Sequence, residues 1–186
     1  MSSNDLTELF NEISKKIETD YENKNDLIYD LTEMKVENDD TLEEFTELIV
    51  QLTNDLTRIT NNQMLINYKD QILQFIENNP KNVIDSFIKK AYNTEHGIYR
   101  KHLLDQNEDF FLNYENKTPG IMDKLFEFKT FWKDLNTENK EVIKAYLLTI
   151  CSLADKRFVN HYTFIELKKK YEHKFPSIIK IMECEF

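Results

Sequence analysis

Hydrophobic residues recur at steps of three and four along nearly the whole chain, the period of one buried helix face. Leu6, Phe10, Ile13, Ile17 and Tyr21 form a narrow first stripe, and Ser3 or Asn4 can cap its helix. Asn23-Lys24-Asn25 interrupts the pattern, and a short helix with Leu27, Ile28, Leu31 and Met34 is expected to follow. Val36 to Asp40 reads as an acidic loop, with Thr41 and Glu44 forming a capping box behind it. Leu42, Phe45, Ile49, Leu52, Leu56 and Ile59 then repeat like a coiled-coil seam. The seam lasts only about two and a half heptads, which suits packing inside an antiparallel bundle better than a free zipper. Asn61-Asn62 breaks it. A further helix carries Met64, Leu65, Tyr68, Ile72, Phe75 and Ile76 and stops before Asn79-Pro80. Asn79 with Pro80 opens the next helix, which buries Val83, Ile84, Phe87, Ile88 and Ala91 and ends near Asn93.

The second half continues in the same manner. Ile98 to Leu104 is a short helix, Asp105 to Leu112 is discussed below, and Thr118-Pro119 opens a stripe of Ile121, Met122, Leu125, Phe128, Trp132 and Leu135. Thr137 is the expected cap of an apolar helix bearing Val142, Ile143, Tyr146, Leu147, Ile150, Cys151 and Leu153, closed by Lys156-Arg157. The spans Thr118–Leu135 and Thr137–Phe158 are expected to pair as a C-terminal αα-hairpin. A last segment holds Tyr162, Phe164, Leu167 and Tyr171, and Pro176 separates an apolar tail. The pattern predicts an all-α multi-helix bundle of seven to nine helices. It forms a single helical domain over 1–186, with a possible division into acidic helices at 1–60 and a main bundle at 61–186. No internal repeat or low-complexity segment is present.

Composition sharpens this picture. The 186 residues include only two glycines, three prolines and three alanines, against a 40% hydrophobic content that can fill a core. Asn, Lys, Ile, Phe and Tyr are abundant, the bias of an AT-rich genome. The net charge of −10 is uneven. Residues 1–60 carry sixteen acidic and five basic side chains, whereas residues 117–186 carry ten and thirteen. The acidic first third repels nucleic acid phosphate and suits either plain solvation or a basic partner. Two cysteines make no disulfide framework, the opening MSSNDLTE does not read as a signal peptide, and no apolar run reaches the ~18 residues that a membrane span needs. The expected setting is intracellular and reducing.

Catalytic arrangements are hard to find. Two glycines cannot build a phosphate-cradling loop, and no CxxC or HExxH pattern supports zinc. His161 and His173 lie twelve residues apart, too far to meet on one helix. No catalytic residue, metal ligand or cofactor is expected, and the protein reads as no enzyme. Asp105, Glu108 and Asp109 are the best carboxylate cluster and could hold a hard cation or act as an acid–base pair. The structural alternative has Asp105 or Asn107 capping a short turn while Phe110 and Phe111 plug the core. Lys168, Lys169, Lys170 and Lys174 form a candidate basic patch beside Tyr171. The tail residues Ile178, Ile179, Met182 and Phe186 either dock on their own core or bind another chain.

Two stretches, HLLDQNEDFFLNY (His102 to Tyr114) and FKTFWKDLNTENKEVIKAYLLTICSLADKRF (Phe128 to Phe158), resemble small helical proteins of the nucleocytoplasmic large DNA viruses. The match rests on an acid pair before Phe-Phe-Leu, then a Trp-x-x-Leu segment leading into a Tyr-Leu helix. It covers under a third of the chain. A second tryptophan often present near position 144 of that pattern is replaced here by Lys144. The resemblance implies a giant-virus source, and a site in the host cytoplasm or the virion, without implying an activity. The leading expectation is a non-enzymatic viral protein acting through protein–protein contacts, as virion component or host-interaction factor. The alternatives are a Bcl-2-like groove protein that sequesters an amphipathic helix, although no glycine accompanies Trp132, and a nucleic-acid-associated packaging factor using the basic last third.

Overall fold

The computed structural model describes residues 6–92, 98–114, 120–183 and 186. Among these residues there are eight α-helices and no strand: α1 (Thr7–Ile17), α2 (Lys24–Ile59), α3 (Gln63–Asn78), α4 (Pro80–Ala91), α5 (Ile98–Leu104), α6 (Glu108–Asn113), α7 (Thr137–Tyr171) and α8 (Pro176–Met182). The chain is therefore an all-α multi-helix bundle. It divides into two compact units, one formed by residues 1–43 and 153–186, the other by residues 44–152. The division expected near residue 60 thus falls elsewhere, and both chain ends belong to the first unit. No described helix is long and apolar enough to cross a membrane.

The largest departure from the sequence pattern is α2. The expected acidic loop at 36–40 is helix, and residues 24–59 run on without a break. Asn23 opens α2 instead of merely interrupting, because its Oδ1 accepts the backbone N–H groups of Asn25 and Asp26 at 2.9 and 3.1 Å. Leu27, Leu31, Met34, Asn38, Thr41, Phe45, Ile49, Leu52 and Leu56 are all buried. They advance by about 3.6 residues per step, so the buried stripe keeps to one side of the helix. Asn38 and Thr41 belong to that stripe, and Thr41 lies inside the helix where a cap was expected. Neither glycine nor proline occurs in 24–59, so nothing in the backbone stops the helix.

The expected C-terminal pairing also changes. Residues 122–134 form three short 3-10 turns, Met122–Phe126, Phe128–Thr130 and Trp132–Asp134, not one α-helix. The cap of α7 is Asn136, whose Oδ1 accepts the Asn139 N–H at 2.8 Å, not Thr137. Lys156-Arg157 does not end α7, which continues to Tyr171 because Phe158, Phe164 and Leu167 keep a buried stripe going and no proline intervenes before 176. The C-terminal αα-hairpin is made by α7 and α8. Phe186 stacks on Phe164 with ring centroids 4.5 Å apart, and Lys168 pairs with Glu183, so the tail runs back along α7. The proposed caps Ser3, Asn4 and Thr118 lie outside the described residues. Leu6 and Phe10 do not form the inner stripe of α1; Leu9 and Ile13 are buried instead.

In the first unit the core comprises Tyr21, Leu27, Leu31, Met34, Phe164, Leu167, Tyr171, Ile179, Met182 and Phe186. A polar junction joins three helices beside it. Asn160 of α7 donates to Glu37 Oε2 of α2 at 2.8 Å and accepts from Lys16 Nζ of α1 at 2.9 Å. In the second unit the core is aromatic. Phe45 meets Phe87, Phe87 meets Phe126, Phe126 meets Phe128, and Phe111 lies against both Phe128 and Trp132, with centroids 4.4–6.1 Å apart throughout. Such tilted and edge-on contacts add to burial and let short 3-10 turns replace a longer helix as the floor under α6.

Candidate functional site

The carboxylate-bearing corner of the second unit is built by a helix stop followed at once by a helix start. At the end of α5, Asn107 N–H bonds to His102 O at 3.0 Å and Gln106 N–H to Leu103 O at 3.2 Å, with Gln106 at φ 51°. This is the bond pattern of a Schellman motif, with glutamine in the left-handed position usually taken by glycine. Asn107 then caps α6 by accepting Phe110 N–H at 3.2 Å. Between the two caps offered by the sequence, Asn107 is the one used. His102 stacks on Phe110 at 4.8 Å, and Phe110 and Phe111 are both buried.

Glu108 faces the start of α7. It accepts the indole N–H of Trp132, and Lys144 and Lys140 approach its oxygens at 3.2 and 3.6 Å. Burial pushes its carboxyl up, but the Trp132 hydrogen bond and the two lysines outweigh that, so it stays below the usual range. Lys140 also lies 5.5 Å from the Trp132 ring centroid. Asp109 is exposed at the first turn of α6, and its carbonyl accepts from Asn113. Asp105 follows α5 directly, its N–H bonded to Lys101 O. The three carboxylates are thus not brought together, and no group of three metal-capable side chains occurs among the described residues. Glu108 is a bracket holding the only tryptophan.

The basic patch is similarly committed within the first unit. Lys168 pairs with Glu183, Lys169 with Glu166, and Lys170 with Asp20, and Lys174 Nζ donates to Tyr21 O at 2.8 Å. Tyr171 OH accepts the Tyr21 N–H at 3.0 Å and lies 3.2 Å from Thr19 O. These side chains tie the segment between α1 and α2 to the end of α7. In the tail, Ile179, Met182 and Phe186 are buried in the core and Ile178 packs against it, so α8 is docked on its own chain.

The surface that the sequence reading missed is the outer face of α2. Tyr29 is 69% exposed and Val36 54% exposed. Phe10, 48% exposed, and Tyr162 form a second patch, both lying against buried Phe158 at 6.0 and 4.5 Å. The seven-residue spacing of Tyr29 and Val36 was legible, but only once residues 36–40 are taken as helix. No protein-family model, curated protein or solved structure matches the chain.

Proposed function

We propose that the chain is a non-enzymatic viral protein that acts through protein–protein contacts, as a virion component or a host-interaction factor. The viral setting is supported by the resemblance of residues 102–158 to small helical proteins of large DNA viruses. On that reading the protein works inside the infected cell or the particle. The observation that carries the contact function is the first unit's pair of exposed apolar sites, Tyr29 with Val36 and Phe10 with Tyr162, in a chain that buries most of its large apolar side chains. Of the residues offered for chemistry, Glu108 and the lysine run are occupied in holding the fold: Glu108 by Trp132 and two lysines, and the Lys168–Lys174 run by acidic side chains and a backbone carbonyl. Those same ties weigh against a packaging role for the basic patch.

Photo-crosslinking in cells tests this. A photoreactive phenylalanine analogue is placed at position 29 or at position 162 of the intact chain, and adducts are read by mass spectrometry. A discrete protein adduct at either position supports the reading. A chain that stays monomeric and yields no protein adduct at either position sinks it.

A further inference from the structure

The geometry points to a specific kind of partner for the first unit: we infer that the outer face of α2 docks a basic amphipathic helix. This deepens the proposed function and rests on it. At 100° per residue, Asp26, Tyr29, Glu33, Val36, Asp40 and Glu43 fall within about 60° of one line along the helix. All six are exposed. Tyr29 and Val36 sit ~10 Å apart along the axis, two turns, at the spacing by which one helix grips another. The four acids frame them, and no basic residue shares the face. Lys24 and Lys35 point elsewhere on the helix, and Lys35 pairs with Asp39 at 2.8 Å.

No ion pair joins Glu33, Asp40 or Glu43 to a base among the described residues. Like charges one turn apart on this side, Glu33 with Glu37 and Asp40 with Glu43, repel along the helix. Complementarity also selects the occupant. A second copy would set four acids against four acids. An anionic membrane surface or a nucleic acid would repel the same face. A helix with apolar residues seven apart and Lys or Arg on both flanks satisfies the apolar centre and the acidic frame together. With only two large apolar anchors the contact is transient and weakens as salt rises.

The probe is a synthetic helix of about 18 residues, the length of helix that spans Asp26 to Glu43. It carries apolar residues at seven-residue spacing between lysines and is titrated into the intact chain by fluorescence anisotropy. A scrambled peptide of the same composition and an acidic version serve as controls. The amphipathic basic peptide should bind at least tenfold more tightly than either control. Tyr29→Ser with Val36→Ser should weaken it at least tenfold, and Glu33→Lys with Asp40→Lys should transfer binding to the acidic peptide. All four substitutions are on exposed positions, and circular dichroism checks that the helix content is kept. Equal binding of the scrambled peptide, no binding of any peptide, or no effect of the serine pair overturns the inference. Self-association abolished by the serine pair overturns it too. In the crosslinking experiment, adducts at position 162 with none at position 29 would remove this face while leaving the contact function standing.

Discussion

Asn38 offers the sharpest test of how the first unit is held together. Its side chain is 1% exposed, and neither its Oδ1 nor its Nδ2 has a hydrogen-bond partner among the described residues. On α2 it sits between buried Met34 and buried Thr41. A buried amide left unpaired costs about 1–3 kcal/mol. Replacing it with leucine removes that cost and adds the burial of an aliphatic side chain, worth ~1.5–3 kcal/mol. Leucine is bulkier, and overpacking returns ~1–3 kcal/mol. The net expectation for Asn38→Leu is stabilisation by about 2 kcal/mol, which moves a urea midpoint up by ~1 M at an ordinary slope. Far-ultraviolet circular dichroism follows the transition. Asn38→Asp is the counterpart: an uncompensated buried charge should lower stability by more than ~3 kcal/mol. A fall in the midpoint for Asn38→Leu would refute the reasoning, because it would mean that the amide is satisfied in solution and that α2 depends on it.

Two titrations probe the second unit. The folded-state value of Glu108 lies below its ordinary 4.5, so its stabilising contribution is complete above 4.5 and is lost as pH falls through the lower folded value. Its side chain is 45% exposed, which keeps that contribution within about 1 kcal/mol. Fluorescence of Trp132, the sole tryptophan, should report the loss, and Glu108→Gln should flatten the acid limb; an unchanged limb would show that the bracket carries no pH dependence. Tyr146 behaves oppositely: burial, then its hydrogen bond to Asp55 Oδ2 at 2.6 Å, pushes its phenol up to about 12. A raised value means that stability is present below 10.0 and lost as pH climbs from there towards about 12. Tyr21 is held up as well, by burial and its hydrogen bond to Asp30, so ultraviolet titration should count one late-ionising tyrosine fewer in Tyr146→Phe than in the parent chain; an unchanged count would contradict the contact.

The fold class was legible because periodicity survives almost everywhere. α3, α4 and α5 follow their apolar stripes and their Asn or Pro boundaries to within about two residues. What failed was the reading of polarity as a break. Val36 to Asp40 is acidic, yet a helix needs only a continuous inner stripe and a tolerant outer face, and Asn38 serves the stripe although it is polar. The reverse error occurred at 122–134. The apolar residues there keep a helical rhythm, but Phe126, Phe128, Phe131 and Trp132 pack on one another and on Phe111 through long-range aromatic contacts, which short 3-10 turns serve better. Sequence periodicity carries no information about partners so far apart along the chain.

The same distinction explains the candidate sites. Asp105, Glu108 and Asp109 are neighbours in sequence, but α5 ends at Leu104 and α6 begins at Glu108, so the turn between them separates their directions. Glu108 meets its two lysines from α7, more than thirty positions along the chain. The lysines at 168–174 likewise find acceptors at 20, 21 and 183, which no local reading pairs with them. Local clusters of charge in this chain are therefore poor guides to function, since tertiary structure disperses or neutralises them. The exception is the α2 face, where the acids lie along one helix whose geometry is fixed by its own backbone and where, among the described residues, no ion pair reaches Glu33, Asp40 or Glu43. That is the place where sequence proximity and surface proximity coincide, and it is why the charge there faces outward and is not drawn into the fold.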